Sequence, residues 1–175
     1  MHNLDNTQNK LLLLFVFDKM EIPLSENTLI DLCCQTNNWI SYMDCKQALL
    51  QLIDASFIYR INNNPSAEPL YTITPEGRVC LAHFFVRVPS SLREVVSEFI
   101  KSHRMSYRRR QEYFSDYHKN ADGTYDVSLK ILEPSQAVLE INLNVPNRNT
   151  AKWIYQKWEE KATQVYSAIY DILVE

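Results

Sequence analysis

Glycine is the rarest residue in this sequence, with only Gly77 and Gly123 among 175 residues. An average protein uses about 7% glycine, so the chain is too poor in glycine for the phosphate-binding loops of dinucleotide and nucleoside triphosphate folds. Those enzyme classes are excluded. Tight hairpins and β-sandwich turns also depend on glycine, so its scarcity favours helices joined by loops marked by proline and asparagine.

Cysteine is also scarce, and its placement suits neither disulfides nor a metal site. The four cysteines stand at 33, 34, 45 and 80, and none forms a Cys-x-x-Cys pair. Zinc sites need closely spaced ligand pairs, and disulfides are rare inside cells. We expect free, mostly buried thiols, with no metal and no cofactor. Since no nucleophile elbow or paired-histidine motif occurs either, we predict no catalytic residues and no enzymatic activity.

Long hydrophobic runs are absent as well. The longest covers residues 11–17, whereas crossing a bilayer takes roughly 20 apolar residues. A secretory signal would need positive charge before this run and a small-residue cleavage site after it, but Asp5 precedes it and Asp18 and Lys19 follow it. We expect no membrane association and a cytoplasmic location.

The charge of the chain is mild, with a formal net charge of -3. The first 88 residues carry six Lys or Arg against nine Asp or Glu, and the remainder carries twelve of each. No global field draws the protein to nucleic acid, so any such binding must be local.

Three short helices are predicted within the first 55 residues. Thr7 can cap the first helix with its hydroxyl, Ser25 the second and Ser41 the third. The third helix spans residues 41–54, and its apolar residues recur at helical spacing.

A two-stranded hairpin and a fourth helix follow. Residues 57–61 and 70–74 are rich in β-branched and aromatic side chains, and the polar segment between them predicts a turn. Thr74, Pro75 and Glu76 then give three concordant signals for the start of a helix. Three helices, a two-stranded wing and a helix form the order of a winged-helix domain.

The local sequence resembles bacterial winged-helix regulators such as the MarR and PadR groups. Residues 48–58 are similar to the end of their recognition helix and the first wing strand. Residues 71–78 are similar to their second strand with its Leu-Thr-x-x-Gly-Arg sequence. The chain departs at Ile73, where leucine is usual, and at Ser56, where these regulators generally have a glycine able to adopt positive φ.

The whole chain further resembles a bacterial family of winged-helix proteins described as a domain of unknown function. Its opening helix and its Ile-Pro-Leu sequence are matched by residues 10–15 and 22–24. Its hairpin ending in Leu-Asn-Val-Pro is matched by residues 143–146, before a helix that carries Trp158. The resemblance implies a transcriptional regulator with no established ligand.

The second half is predicted as a helix, a β-hairpin and a helix. Residues 92–100 carry the apolar stripe of a long helix, and alternation along 125–131 and 139–145 predicts two strands with one apolar face. In the closing helix, apolar residues recur at spacings of three and four. They either cover the hairpin or form a dimer interface, or do both, and the predicted interface residues are Ile154, Trp158, Val165, Ile169 and Leu173.

The third helix is the one expected to enter the major groove of DNA. Gln47 and Gln51 suit adenine edges, and Lys46 suits guanine or phosphate, while the cation and amides of the wing suit the backbone or minor groove. One lysine against Asp44 and Asp54 gives the helix little positive charge for DNA, so the alternatives for the helix are protein interaction and a degenerate winged helix. The alternative for the wing is a soluble hairpin tip. The candidate DNA-binding residues are Ser41, Tyr42, Met43, Lys46, Gln47, Gln51, Arg60, Asn62, Asn63 and Asn64.

A dense cationic cluster, interleaved with tyrosines, lies in the second half. Arginine beside tyrosine suits phosphate binding or stacking on bases. A solvated helix face is the alternative, because Glu98, Glu112 and Asp116 lie within helical reach of these cations. The candidate phosphate contacts are Lys101, Arg104, Arg108, Arg109 and Arg110.

Together these patterns predict an α+β protein with two domains. Residues 1–88 form an N-terminal winged helix-turn-helix, and residues 89–175 form a helix, β-hairpin, helix module for dimerisation or effector binding. The predicted function is transcriptional control by a homodimer that reads double-stranded DNA with helix 41–54 and the 60–67 wing. The alternative is a winged-helix protein-interaction or adaptor module, which the acidic first half keeps open. The sequence identifies no effector.

Overall fold

The computed structural model describes residues 3–61, 68–133 and 136–174. Within these ranges the chain forms six α-helices and two small antiparallel sheets, so the predicted α+β class is confirmed. By its internal contacts the chain divides into two compact units, Met1–Arg104 and Met105–Glu175.

The first unit is made of four helices, a small sheet and most of a fifth helix. A π-helical extension, Asp31–Thr36, directly follows α2, and a short 3-10 turn, Phe85–Arg87, directly follows α4. The elements are α1 Asn6–Met20, β1 Leu24–Ser25, α2 Glu26–Ile30, α3 Tyr42–Asp54, β2 Ile58–Arg60, β3 Leu70–Ile73, α4 Pro75–Phe84 and α5 Ser90–Glu112.

Helix α1 is the centre of the first unit. Residues 11–17 are all buried, so this helix packs on every side, as a helix that is hydrophobic all round must. The predicted cap at Thr7 was wrong, because Asp5 accepts from Gln8 N at 2.7 Å and Gln8 Oε1 accepts from Asp5 N at 3.0 Å. This reciprocal pair satisfies two amides that the first turn leaves without partners.

The small sheet of the first unit has the strand order β1, β3, β2. The predicted hairpin is confirmed, with Ile58 opposite Ile73 and Arg60 opposite Tyr71. Strand β1 was not predicted, because two residues are too short for an alternating pattern to show. Leu24 nevertheless pairs with Tyr71.

Two backbone positions connect α3 to the hairpin and the hairpin to α4. Ser56 adopts φ 59°, in the left-handed region, which is strained for a residue with a Cβ. Thr74 caps α4 by accepting from Gly77 N at 3.0 Å. A Cβ on Gly77 would overlap the Phe57 carbonyl oxygen, so only glycine fits this close approach.

The second unit contains a three-stranded sheet under one long helix. The strands run in the order β4, β5, β6, so the prediction of a two-stranded hairpin was incomplete. The exposed side of β4 carries Phe114 and the half-buried side carries Ser115, so apolar and polar residues do not alternate in the sequence. The elements are β4 Tyr113–Lys119, β5 Tyr125–Leu132, β6 Ala137–Val145 and α6 Arg148–Val174.

One face of this sheet is covered by α6. Val127, Leu129 and Val145 form a core with Ala151, Trp158 and Ala162 of the helix. Trp158 is only 3% exposed, and its indole nitrogen donates to the Lys130 carbonyl at 3.1 Å, so its polar atom is satisfied as burial requires. None of the described helices is long and apolar enough to span a bilayer.

Candidate nucleic-acid interface

Helix α3 is held in place by its cap and by its buried face. Ser41 Oγ accepts from Asp44 N at 3.1 Å and donates to the Asp44 carboxylate at 2.6 Å. Cys45, Ala48, Leu49 and Leu52 are buried against the rest of the first unit. Burial raises the pKa of Cys45, so its thiol stays neutral and serves as a small apolar side chain. The cap and the buried face thus fix the position of α3 in the first unit and leave its opposite face exposed.

That opposite face carries four exposed residues in one line, Met43, Gln47, Leu50 and Asp54, which we call the outer stripe. They follow one another at steps of four, three and four residues, so they lie on one side of the helix. Met43 is 73% exposed and Leu50 is 60% exposed. Buried residues occupy the other side of α3, so the outer stripe is the side open to a partner.

Lys46 was predicted to reach guanine or phosphate, but its ammonium already has a partner. Lys46 Nζ lies 2.7 Å from the Glu26 carboxylate and 5.8 Å from the centre of the Tyr42 ring. The hydrogen bond and the negative charge of Glu26 raise the pKa of Lys46. This ion pair links α2 to the flank of α3 and neutralises the only cation of the helix. Contact of Lys46 with DNA would therefore require this exposed ion pair to break.

Gln51 was also predicted to read adenine, and its carboxamide has a partner within the protein. Its side chain is half-buried, and Asn6 of α1 donates to its Oε1 at 3.1 Å. It also lines a cavity of about 180 Å³ bounded by α1, α3 and α4. Of the two glutamines predicted to read adenine, only Gln47 is open.

The remaining predicted residues of α3 lie at its first turn and along its flank. Tyr42 is exposed beside Lys46, and Ser41 is the cap. In the hairpin, Arg60 and Tyr59 are exposed on β2. The wing residues Asn62, Asn63 and Asn64 lie outside the described residues.

The basic cluster of α5 is partly neutralised. Arg104 lies 2.9 Å from the Glu21 carboxylate, and Arg108 lies 2.8 Å from Glu112, four residues on. The predicted helical reach of Asp116 was wrong, because Asp116 belongs to β4. The cluster members that are exposed and have no ion pair among the described residues are Lys101, Arg109 and Arg110.

The five predicted interface residues of α6 fall into two groups. Ile154 and Val165 pack with Trp158 against the sheet of their own unit, so Trp158 is not available to a partner. Ile169 is half-buried, whereas Leu173 is 77% exposed. Leu173 stands in an exposed apolar segment at the end of the helix, which also includes Tyr170, Ile172 and Val174.

The sequence interpretation missed Leu50 and Asp54 among the exposed residues of α3. Their spacing from Met43, seven and eleven residues on, places them on the same side of a helix and would have revealed them. Leu50 was overlooked because it adjoins the buried Leu49 and belongs to an apolar run.

The fold and this surface define a small α+β protein that presents one exposed helix face beside an antiparallel hairpin. The chain belongs to the DUF4364 family, whose model is described as a domain of unknown function and matches residues 9–173. No curated protein and no solved structure matches the chain. Across the described ranges, no group of three or more His, Cys, Asp or Glu side chains is placed to hold a metal ion, and all four cysteines are free.

Proposed function

We propose that this protein is a DNA-binding transcriptional regulator that inserts α3 into the major groove of duplex DNA. The observation that carries the proposal is the exposure of the outer stripe along α3, next to the β2 and β3 hairpin. A major groove about 12 Å wide accepts one α-helix, and the residues near the start of a recognition helix contact the bases.

The order of the elements supports a winged-helix interpretation of the first unit. A helix, a short strand, two helices and a hairpin occur in sequence, and the hairpin's second strand lies between β1 and β2. This arrangement is typical of winged-helix domains, in which the helix before the hairpin is the one that reads DNA. Since a fold does not determine a function, the surface of α3 has to supply the argument.

A homodimer fits the same proposal. The last turns of α6 expose Ile172 at 79% and Leu173 at 77%, and an apolar patch of this kind is typical of an interface with another chain. A two-fold dimer would carry two copies of α3, and dimers of helix-turn-helix proteins read half-sites about one turn of DNA apart. Replacing Leu173 by glutamate should then shift the mass measured by light scattering from dimer to monomer.

Protein interaction is the second candidate function, and one observation favours it. The outer stripe contains Met43 and Leu50 but no cation, and the neighbouring Lys46 is bound to Glu26. Affinity for DNA comes largely from neutralised phosphates, whereas exposed apolar side chains are typical of protein interfaces. An adaptor module would use the same face of α3 for a protein partner.

Binding selection from random duplexes, at two salt concentrations, tests the proposal. We expect enrichment of a palindromic motif and weaker binding at the higher salt, because released counterions contribute to the affinity. Gln47→Glu should weaken binding about tenfold or more, since it removes a base contact and adds a charge that phosphates repel. Gln156→Glu makes the same change at an exposed position of α6 and should leave binding unchanged.

The outcomes separate the two candidates. Enrichment that is lost in Gln47→Glu but kept in Gln156→Glu supports the regulator. A wild-type protein that enriches no duplex contradicts it, and a co-purifying protein that Gln47→Glu releases would favour the adaptor.

A further inference from the structure

The outer stripe has a chemical composition that suits some base pairs better than others. Going from the start of α3 it presents a thioether, a carboxamide, an isobutyl group and a carboxylate, from Met43, Gln47, Leu50 and Asp54. The major groove shows a different set of donors, acceptors and methyl groups for each base pair. The stripe can therefore be compared with that set position by position.

We propose that α3 reads a run of A·T base pairs, with Gln47 on an adenine and with Met43 and Leu50 on thymine methyl groups. This inference rests on the proposed function and names the DNA it would select. Met43 and Leu50 lie seven residues apart, roughly 10 Å along the helix. That distance corresponds to about three base-pair steps, so the three side chains cover one short half-site.

Gln47 is suited to adenine because its carboxamide has both a donor and an acceptor. Adenine presents the N7 acceptor and the N6 amino donor side by side, and glutamine can bond both at once. Gln47 lies between Met43 and Leu50 on the stripe and is exposed. Because those neighbours would exclude water from the contact, an unmatched base would leave the amide of Gln47 without a partner.

Met43 and Leu50 are suited to thymine because it alone places a methyl group in the major groove. An apolar side chain gains from covering that methyl group. Against a G·C pair, the same side chains would cover the O6 and N7 acceptors of guanine without offering a donor, and a buried polar group without a partner is costly.

Two groups on the flanks of α3 that could read G·C pairs have partners within the protein, and the Asp54 carboxylate stands at the last residue of the helix, away from the start that contacts bases. The cation suited to guanine, Lys46, is bound to Glu26 at 2.7 Å. The carboxylate suited to the cytosine amino group, Asp44, accepts from the Ser41 hydroxyl at 2.6 Å. These two engagements leave the outer stripe as the surface that reads bases.

Uracil substitution tests the inference directly, because uracil differs from thymine only by the missing methyl group. The probe is the duplex motif selected by the wild-type protein, which should be rich in A·T pairs. Replacing thymine by uracil inside each half-site should weaken binding about fourfold for each methyl group covered. The same replacement outside the half-sites is the control and should have no effect.

Variants of the stripe assign the effect to residues. The double variant Met43→Ala, Leu50→Ala should bind thymine and uracil duplexes equally, because nothing is left to cover the methyl groups. Gln47→Ala should lose the preference for adenine at one position of the half-site, whereas Gln156→Ala should keep it. All four side chains are exposed, so these changes leave the core intact.

Each result decides the matter. Selection of an A·T-rich motif supports the inference if uracil substitution weakens binding of the wild-type protein and does not weaken binding of the double variant. Selection of a G·C-rich motif, or indifference of the wild-type protein to uracil, overturns the inference while leaving duplex binding in place. Failure to select any duplex overturns the proposed function together with it.

Discussion

The two units of this protein bury their apolar side chains in different ways. The first unit surrounds one helix, α1, in which residues 11–17 are all buried. The second unit lays one amphipathic helix, α6, on a single face of a sheet. A central helix needs neighbours on every side, whereas a helix on a sheet leaves half of its own surface exposed.

This difference determines where each unit exposes apolar side chains. In the first unit α3 contributes one side to the shell around α1 and exposes Met43 and Leu50 on the other. In the second unit the exposed apolar residues include Phe114 and Leu143 on the strands, and the last turns of α6, where Leu173 is 77% exposed. We infer from this contrast that the two surfaces serve different partners, DNA for α3 and a second copy of the chain for α6.

The largest expected effect comes from a matched pair of leucine truncations. Leu13→Ala in α1 should lower the free energy of unfolding by about 2–5 kcal/mol, because Leu13 is fully buried and leaves a cavity. Leu139→Ala on the half-buried side of β6 should cost only about 1 kcal/mol. Urea denaturation measures both losses of stability. Equal losses would contradict the conclusion that α1 is surrounded by its neighbours whereas the sheet of the second unit is covered on one face only.

The two glycines, one in each unit, provide the next comparison. Gly77→Ala should cost about 1–3 kcal/mol, because the new Cβ meets the Phe57 carbonyl and lies 2.9 Å from Ile73 Cγ1. Gly123→Ala should cost about 1 kcal/mol, for a different reason. Gly123 has φ 89° and open space around it, so only the backbone is strained.

Asparagine distinguishes these two causes. Gly123→Asn should cost less than Gly123→Ala, because asparagine tolerates positive φ. Gly77→Asn should cost more than Gly77→Ala, because its larger side chain meets the same atoms. Thermal unfolding of the four variants measures these differences. If asparagine were better tolerated than alanine at both positions, or worse at both, the two different causes would be contradicted.

A smaller, stabilising effect is expected at the turn between α3 and β2. Ser56→Gly should raise the free energy of unfolding by about 0.5–1 kcal/mol, because glycine relieves the strain of φ 59° and loses part of that gain to chain entropy. Ala55→Gly is the control, because Ala55 has φ -79° and no such strain to relieve. A destabilised Ser56→Gly protein would show that the serine side chain has a role of its own.

The smallest effect concerns acid stability in the second unit. A hydrogen bond from Asn144 at 2.7 Å lowers the pKa of Asp126 from its ordinary value of 3.8. A lowered pKa adds stability above pH 3.8, and this stability is lost as the pH falls from there through the lowered value. Asn144→Ala should therefore flatten the pH dependence of unfolding below pH 3.8. Carbon-detected NMR titration of Asp126 should show its pKa rising in this variant, and an unchanged pKa would refute the assignment.

Local sequence signals predicted the ends of elements well. Ser41 and Thr74 were identified as helix caps because a cap bonds an amide only three residues away. Ser56 was noted only as a departure from the glycine of the regulators that the sequence resembles, and a positive φ of 59° is found there.

Contacts between distant residues could not be predicted in the same way. The bonds of Lys46 to Glu26 and of Gln51 to Asn6 join side chains far apart in the sequence. Both side chains were expected to contact DNA. The helical pattern predicts the side of the helix on which a residue lies, but it does not predict which distant side chain the residue contacts. Strand β4 was missed for a similar reason, because its pairing of Tyr113 with Ile131 depends on a neighbour in space.

Photocrosslinking tests the central claim most directly. A photoreactive p-benzoylphenylalanine replaces Met43 on the outer stripe in one variant and Trp153, an exposed residue of α6, in the other. Each variant is irradiated with a pool of genomic duplex fragments. The account predicts DNA adducts at position 43 and none at position 153. Adducts to protein alone at position 43, or DNA adducts of equal yield at both positions, would contradict it.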